Sequence, residues 1–327
     1  MINFQYVRTS MVKTALSLAE KDAHSAFIAG GTNLVDLMKR GVIAPEKLID
    51  INYLPLKQFK LINNTLHIGA LATNADVAEH EIVKERFPLL RLALQAGASA
   101  QLRNMATMGG NMMQRTRCGY FYDTTMPCNK RNPGSGCSAI GGYNRMHAIF
   151  GTSENCIAVH PSDMCISLAA LDAVVVIAGT KGERKLNFND FHRLPGTTPE
   201  KDNNLKKNEL IVRLEIPTNP FNKNYHYLKV RDRSSYAFAL VSVAAAIVIN
   251  NNLISDARLA LGGVAHRPWR LRAVEAFLKG KQATTANFEI AAKLAMEGAK
   301  GFGENDFKLK LTPNSIIEAL NQAKSKA

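Results

Sequence analysis

All five cysteines of this 327-residue chain lie within one short part of it, and this clustering is the strongest constraint in the sequence. They are Cys118, Cys128, Cys137, Cys156 and Cys165. A chain of this length can build a core without disulfides, and five is an odd number, so the cysteines indicate thiolate chemistry. The cluster is flanked by a glycine turn at 107–111 and by His160-Pro161-Ser162-Asp163. We therefore predict a cofactor-binding turn that is interrupted by a loop folded around a metal centre.

The spacing of the first four cysteines ranks the candidate metal centres. Successive cysteines are separated by 9, 8 and 18 residues, whereas zinc fingers and ribbons normally carry a C-x2-C pair. Widely spaced cysteines on a loop rich in Gly and Pro suit a [4Fe–4S] cluster, because a bulky cluster needs long spans of chain and iron–sulfur centres prefer thiolates. Nearby Arg115, Arg117, Lys130 and Arg131 would offset its negative charge. Among the candidate centres, an iron–sulfur cluster ranks first, zinc second and disulfides third. The remaining alternative is four clustered thiols that bind no metal. Cys165 lies in an apolar run and is expected to be a core cysteine.

The chain is basic, with a formal net charge of +14 and a pI near 9.6. This charge indicates an anionic partner, such as nucleic acid, a phosphate-bearing cofactor or an acidic protein surface. The basic residues are scattered, however, and the densest runs, 206–207 and 231–233, lack the aromatic alternation of single-strand binders. An acidic subunit surface is therefore favoured over nucleic acid. A zinc-stabilised, basic nucleic-acid-binding protein is the alternative from a different class.

Composition and apolar runs bear on domains and location. A content of 46% hydrophobic and 21% charged residues is ordinary for a folded chain of two or three domains. The first eight residues lack the regions of a signal peptide, and the longest apolar run, 236–249, is shorter than the roughly 18 residues of a membrane span. We expect no membrane insertion and a cytoplasmic location, or a periplasmic one if the chain is exported folded beside a signal-bearing partner.

Two Gly-Gly segments are candidate phosphate sites. Residues 26–34 predict a short strand that runs through Gly30-Gly31 into a helix starting near Leu34. Such a junction leaves free backbone N–H groups at a helix N-terminus, where a phosphate can bind. A tight turn capped by Thr32 or Asn33 explains the same residues equally well, and the G-x-G-x-x-G fingerprint is absent. The second segment, 107–111, could converge with the first on one pyrophosphate.

Hydrophobic periodicity outlines the remaining elements. In the first two thirds of the chain it predicts helices over 11–20, 74–80 and 89–96, and strands over 47–51, 65–71, 174–178 and 209–217. Residues 218–224 are the predicted domain linker. Beyond them it predicts strands over 226–231, 240–249 and 254–261, followed by helices over 271–279, 288–300 and 315–324. Strands first and helices after indicate an α+β C-terminal domain.

Several motifs also occur in a fixed order along the chain. They are Ala29-Gly30-Gly31-Thr32-Asn33-Leu34, Arg103-Asn104, Thr107-x-Gly109-Gly110-Asn111, Ser162-Asp163 and Lys229-x3-Arg233. Together they resemble the FAD-binding subunit of the molybdenum hydroxylases, the group of xanthine dehydrogenase, carbon monoxide dehydrogenase and aldehyde oxidoreductases. The resemblance extends from near the N-terminus to about Pro268. The cysteine loop makes the chain most similar to the aldehyde oxidoreductase type, which carries an extra [4Fe–4S] cluster, as does 4-hydroxybenzoyl-CoA reductase.

The resemblance implies a set of site residues. The two glycine segments would hold the FAD pyrophosphate and ribityl chain through backbone N–H groups, Asp163 would contact the cofactor, Lys229 would lie near the flavin ring, and Leu210 would make a hydrophobic contact. The implied FAD-binding residues are Phe27, Ile28, Ala29, Gly30, Gly31, Thr32, Asn33, Leu34, Thr107, Gly109, Gly110, Asn111, Asp163, Leu210 and Lys229. The implied cluster ligands are Cys118, Cys128, Cys137 and Cys156. No residue is assigned a catalytic role. Because some fifty residues separate the turn from Asp163, the Asp163 assignment requires an insertion that leaves the base of the turn intact.

The implied fold is α+β, with a two-subdomain FAD-binding domain of residues 1–57 and 58–217 and a C-terminal domain, 218–327, of a three-stranded antiparallel sheet and helices. The [4Fe–4S] loop occupies about 112–160 of the second subdomain. The implied function is electron transfer, in which FAD accepts electrons from a [2Fe–2S] subunit and passes them to an external acceptor. A molybdenum-cofactor subunit of the same heterotrimeric complex would oxidise an aldehyde. The FAD subunit of a related hydroxylase, such as xanthine dehydrogenase, is the alternative within the family. A self-contained flavin oxidoreductase is disfavoured because no His or carboxylate is spaced as a general base.

Overall fold

The N-terminal unit of the computed structural model, which describes residues 1–325, is a small parallel sheet with helical crossovers. The sheet order is β1-β3-β2, and Val7 of β1 and Phe27 of β2 both pair with Ile49 of β3. Parallel strands require crossover connections, which the helices provide. The elements are β1 (Gln5–Arg8), α1 (Val12–Lys21), β2 (Ser25–Ile28), α2 (Leu34–Lys39) and β3 (Lys47–Asp50).

The second unit is a five-stranded antiparallel sheet with helices packed over one face. Its strand order is β4-β5-β8-β6-β7. Helix α9 is buried at every position, as expected for a helix that is apolar all round. The elements are β4 (Phe59–Ile62), β5 (Thr65–Gly69), α3 (Asn74–Glu79), α4 (Glu81–Arg86), α5 (Pro88–Ala96), α6 (Ala100–Met105), α7 (Met108–Met112), α8 (Gly119–Tyr122), α9 (Asp163–Ala170), β6 (Val174–Gly179), β7 (Gly182–Asn187), a 3-10 turn (Phe188–Asp190) and β8 (Leu210–Pro217).

The C-terminal unit is an antiparallel sheet in the order β12-β11-β10-β9, with helices on one side. Strands β10 and β11 supply alternate residues to two hydrophobic cores, one shared with the second unit and one formed with the C-terminal helices. The elements are β9 (Asn224–Val230), β10 (Val241–Asn250), β11 (Leu253–Gly262), β12 (Trp269–Arg270), α10 (Arg272–Leu278), α11 (Thr285–Leu294) and α12 (Lys308–Ser325). Among the described residues, every helix is too short or too polar to span a bilayer.

Three details differ from the sequence-based expectation. The C-terminal sheet gains a fourth strand, β12, which is only two residues long and therefore gives no periodic signal. Residues 108–112 form helix α7 where a glycine turn was predicted. Helix α12 begins at Lys308 rather than near 315; Lys308 is fully buried, and its ammonium donates to two backbone carbonyls. Periodicity treats such a lysine as exposed.

The cysteine loop docks on the C-terminal unit. The N–H groups of Ile149 and Phe150 both donate to the Val264 carbonyl, at 2.9 and 3.0 Å. The Asn305 side chain donates to the carbonyls of His147 and Ala148. The loop therefore contacts both domains rather than extending into solvent.

Candidate functional site

A cavity of about 630 Å3 lies where the three units meet. It is bounded by the loop before α2, by helices α5–α7, by the start of α9 and by the β9–β10 connection. Six of the residues predicted to bind FAD line it, namely Thr32, Asn33, Gly110, Asn111, Asp163 and Lys229. The structure thus brings together residues that are up to 197 positions apart in the sequence.

The loop at 30–34 has free hydrogen-bond donors, and its residues Thr32 and Asn33 line this cavity. Within residues 1–325, the backbone N–H groups of Gly30 through Leu34 have no protein acceptor. The loop follows the carboxyl end of β2, which is where open α/β sheets place ligands. Gly30 packs so closely on α6 that an added Cβ would lie 1.9 Å from the Met105 carbonyl oxygen, and Gly31 has φ +71°. Both positions therefore require glycine, and the loop fits an anionic group.

In the second glycine segment, 107–111, the backbone N–H groups are not free as predicted. The N–H groups of Met108 and Gly109 donate to Ala72 and Ala70, and those of Gly110 and Asn111 donate to the side chain and carbonyl of Thr107. Four N–H groups predicted to be available are therefore used within the protein. Two of them are used because Thr107 caps a short helix, and the other two because the segment pairs with the chain at 70–72. Gly109 packs against Ala70, with an added Cβ 3.2 Å from its carbonyl oxygen.

The base of the interrupted turn is intact. The Ser162 hydroxyl donates to Asn111 Oδ1 at 2.7 Å across the entire insertion. Ser162 also caps α9, since its oxygen accepts from the Cys165 N–H. Asp163 therefore stays beside the turn, as its assignment required.

Two amide atoms at the cavity lack partners. Asn33 Nδ2 and Asn74 Oδ1 are buried and have no hydrogen-bond partner among the described residues. Asn33 is held in place because its Oδ1 accepts from the Arg115 N–H at 3.0 Å. Buried polar atoms are normally paired, so an unpaired donor and acceptor in one cavity indicate a polar ligand.

Asp163 and Lys229 form a buried ion pair in the cavity wall. Lys229 Nζ lies 2.8 Å from Asp163 Oδ2 and donates also to the Ala96 carbonyl, and the two side chains are 5% and 7% exposed. The Tyr227 hydroxyl donates to Asp163 Oδ1 at 2.8 Å. Burial, together with the Asp163 charge, raises the pKa of Tyr227 well above its usual value. Sequence reasoning missed Tyr227, although its spacing of two from Lys229 places both on one face of β9.

The other predicted residues lie behind the cavity. Leu210 is 5% exposed and packs with Val176, Ala178 and Val212 in the core beneath the N-terminal unit. Phe27 and Ala29 pack against the same core, and Ile28, Gly30, Gly31, Leu34, Thr107 and Gly109 support the two glycine segments without lining the cavity. Direct FAD contacts from these positions stay a prediction.

The four loop cysteines surround a second, small cavity. We name Cys118, Cys128, Cys137 and Cys156 the cysteine cage, because all four line this one enclosed space. Cys128 and Cys137 face each other in an isolated antiparallel bridge. No three cage sulfurs lie within 4.8 Å of one another among the described residues. Tetrahedral zinc, with Zn–S near 2.3 Å, needs sulfurs about 3.8 Å apart. The cage is therefore wider than a single zinc ion requires.

Burial makes two of the cage thiols poor thiolates without a cation. It raises the pKa of Cys118 to about 12 and the pKa of Cys156 to about 11, although the Lys130 ammonium opposes the latter shift. Lys130 is itself buried and pairs with Asp202, which also accepts from Arg115. Burial opposes ionisation of Asp202, but Lys130 and Arg115 together hold its pKa below the usual range. Thiolates here would require positive charge from a metal centre as well as from these residues.

A third group, His160, Cys165 and His192, brings three potential ligand atoms within 4.8 Å of one another. The two imidazole rings lie in contact, with centroids 4.2 Å apart, and His192 Nε2 is already bonded to the Met112 carbonyl. Burial lowers the pKa of both histidines, and the nearby Lys130 charge would also oppose a cation. We therefore assign this group to packing beneath the cage.

A further cavity of about 530 Å3 adjoins both sites. It is lined by Cys118 and His147 from the cage side and shares Ser162, Asp163 and Phe238 with the first cavity. Cys118 is the one member of the cage that lines it. Cys118 is therefore the cage residue on the side of the 630 Å3 cavity.

Two family matches cover almost the whole chain. Residues 2–219 match the FAD binding domain in molybdopterin dehydrogenase, and residues 225–323 match the CO dehydrogenase flavoprotein C-terminal domain. The chain belongs to this family. FAD is its expected cofactor, and the free N–H groups and the unpaired amides fit such a ligand. The resemblance to FAD-binding subunits of molybdenum hydroxylases, and with it the nature of the chain as a flavoprotein subunit of an oxidoreductase, is confirmed.

Individual relatives are similar over nearly their full length. The chain is 46% identical over 326 residues to the aldehyde oxidoreductase FAD-binding subunit PaoB of Escherichia coli, covering 99% of each chain. It is 31% identical over 280 residues to the glyceraldehyde dehydrogenase medium chain of Sulfolobus acidocaldarius, covering 85% of this chain and 82% of that protein. A chain of carbon monoxide dehydrogenase from Hydrogenophaga pseudoflava superposes with a TM-score of 0.79 at 26% identity, covering 100% of both chains. The expected fold class, an FAD-binding domain followed by an antiparallel sheet with helices, is confirmed.

Proposed function

We propose that this chain is the FAD- and [4Fe–4S]-containing electron-transfer subunit of a molybdenum-dependent aldehyde oxidoreductase complex. The aldehyde assignment is supported by the 46% identity to an aldehyde oxidoreductase FAD-binding subunit along the whole chain. In the proposed heterotrimer, a molybdenum-cofactor subunit oxidises the aldehyde to an acid. A [2Fe–2S] subunit then delivers electrons to FAD, which passes them to an external acceptor. The net charge of +14 supports docking against acidic subunit surfaces. An FAD subunit of a related hydroxylase, such as xanthine dehydrogenase or 4-hydroxybenzoyl-CoA reductase, is the second candidate.

The proposed FAD site is the 630 Å3 cavity. The free N–H groups of 30–34 would receive the pyrophosphate, and Asn33, Asn74 and Asn111 would supply side-chain hydrogen bonds. The Asp163–Lys229 pair, fixed by Tyr227, forms a rigid polar wall. When bound, the flavin stores two electrons and can exchange them singly, which joins one-electron carriers to two-electron acceptors. The chain's own residues bind and orient it, and we retain the proposed division into 1–57, 58–217 and 218–327.

The proposed cluster ligands are the four residues of the cysteine cage. The observation that carries this assignment is that four cysteines, spread over 39 residues of an irregular loop, line one enclosed cavity. The cage is too wide for one zinc ion and is bordered by Lys130, whose charge suits an anionic centre. Cys165 lies outside it, buried in α9, as the sequence predicted.

The test is anaerobic purification of the chain, followed by measurement of flavin, iron, acid-labile sulfide and zinc. The proposal expects about one FAD, four iron and four sulfide per chain, as a [4Fe–4S] cluster requires. Stoichiometric zinc without sulfide would overturn the cluster, and a colourless protein that does not take up FAD would overturn the flavin assignment. The aldehyde assignment is tested separately by isolating the tagged complex and comparing its turnover of aldehydes and purines.

A further inference from the structure

His147 is the one histidine in contact with the cysteine cage among residues 1–325. Its Nε2 lies 3.1 Å from Cys118 Sγ. Its Nδ1 is buried and has no hydrogen-bond partner among the described residues. A proton on Nδ1 would leave that N–H unsatisfied and would turn the Nε2 lone pair toward the sulfur lone pairs. The proton therefore belongs on Nε2, where sulfur accepts it.

The direction of the ring is fixed from its backbone. The His147 N–H donates to Asn144, and the His147 carbonyl accepts from Lys308 Nζ at 2.9 Å and from Asn305 Nδ2 at 3.3 Å. Lys308 and Asn305 are both fully buried. These contacts from the C-terminal unit hold His147 against Cys118. A residue of a flexible loop would not be fixed in this way.

Cys118 is also the cysteine nearest the FAD cavity. It alone of the cage lines the 530 Å3 cavity, which shares Ser162 and Asp163 with the proposed FAD site. A hydrogen bond to this sulfur acts on the ligand that faces the flavin.

We propose that His147 is a positioning residue that donates an N–H···S hydrogen bond to Cys118 and thereby raises the reduction potential of the cluster. The inference rests on the proposed [4Fe–4S] assignment. Reduction adds negative charge that the ligand sulfurs share, so a donor to one sulfur stabilises the reduced state more than the oxidised state. The step involves no proton transfer; the N–H stays on the imidazole.

The test compares His147→Leu, which removes the donor, with His147→Gln, which retains an N–H. His24→Leu, at an exposed histidine outside the cage, is the matched control. Redox titration of the purified holoprotein, followed by electron paramagnetic resonance, gives the cluster midpoint, and the flavin midpoint of the same sample is the internal reference. We expect His147→Leu to lower the reduced-to-oxidised ratio at fixed potential about tenfold, a downward shift of about 59 mV for a one-electron couple. His147→Gln should recover most of it, and the flavin midpoint should not move.

The outcomes separate this inference from the proposed function. A full cluster whose midpoint is unchanged in His147→Leu overturns the role of His147 and leaves the cluster assignment standing. Wild-type protein without iron and sulfide overturns the proposed function itself. If His147→Leu fails to assemble a cluster, ¹⁵N-histidine labelling of the wild-type holoprotein decides: weak nitrogen coupling to the reduced cluster supports the hydrogen bond, whereas strong coupling of a direct ligand, or none, overturns it.

Discussion

Gly30 is the position where a single methyl group tests the proposed pyrophosphate loop. In Gly30→Ala, the new Cβ would lie 1.9 Å from the Met105 carbonyl oxygen and 2.7 Å from its carbon, whereas real Cβ atoms essentially never approach within 3.0 Å. The obstacle is backbone, which cannot rotate away, so the loop must move by about 1 Å. That movement displaces the free N–H groups of 31–34 from the phosphate position.

The cost of this displacement follows from the bonds it weakens. A hydrogen bond to a charged group contributes about 1.5–3 kcal/mol, and about 1.4 kcal/mol corresponds to a tenfold change in affinity. Loss of one N–H contact to the pyrophosphate therefore predicts roughly 10- to 100-fold weaker FAD binding. The assay is fluorescence titration of FAD into deflavinated protein. Gly141→Ala is the matched control, because a Cβ there meets no atom within 4 Å and φ is not positive. Wild-type FAD affinity in a folded Gly30→Ala protein would refute the pyrophosphate assignment of this loop.

Three further perturbations test the cysteine cage, the Asp163–Lys229 ion pair and the buried Lys308. Cys128→Ser should abolish iron, sulfide and the iron–sulfur absorbance while most FAD remains, whereas Cys165→Ala, outside the cage, should keep full iron; equal iron contents in the two variants would contradict the ligand assignment. Lys229→Met leaves the buried Asp163 carboxylate with only Tyr227, so it should lower the free energy of unfolding by about 3–5 kcal/mol. The double variant Asp163→Asn/Lys229→Met should lose less than the two single changes together, and strict additivity in urea unfolding would count against a coupled pair. Burial lowers the pKa of Lys308 to about 7 from 10.5, so the unfolded chain binds more protons between these values, and wild-type stability should rise with pH from about 7 to 10.5 by up to about 1.4 kcal/mol per unit. The penalty is fully present below pH 7. Lys308→Met should remove this rise, and identical pH profiles for the two proteins would show that the ammonium is not desolvated.

The sequence predicted those parts of the fold that depend on local periodicity. Helices at 12–21 and 88–96 and most strands of the two antiparallel sheets have strong periodic patterns, and Asn251-Asn252, both with positive φ, mark the β10–β11 hairpin turn. The turn at Asn63-Asn64 joins β5 to β4, a strand that was not predicted, rather than to residues 47–51. What it missed depends on tertiary contacts. The buried Lys308 ammonium donates to distant carbonyls, and the N–H groups of 108–111 donate to Ala70, Ala72 and Thr107.

The residues of the candidate site also divide into those that sequence motifs predict and those that only tertiary contacts place there. Ordered motifs identified Thr32, Asn33, Gly110, Asn111, Asp163 and Lys229, and all six line one cavity. Asn74 and Tyr227 were not predicted because neither belongs to a motif. Only the tertiary packing around them places their side chains at the candidate site. Leu210 was assigned a flavin contact from the resemblance alone; its side chain is buried in a core, and the contact stays a prediction.

The cysteine cage and the proposed FAD cavity are held by different contacts of the insertion. Its two ends are joined by the Ser162–Asn111 hydrogen bond, beside the proposed FAD cavity. Its middle is held instead by the C-terminal unit, through Val264, Asn305 and Lys308. The cage is therefore anchored to a domain that also supplies Lys229 and Tyr227 to the flavin cavity. Movement of that domain would change both sites together. A change confined to the loop would also reach the proposed FAD cavity, because Arg117 and Met146 line it and the Arg115 N–H holds Asn33.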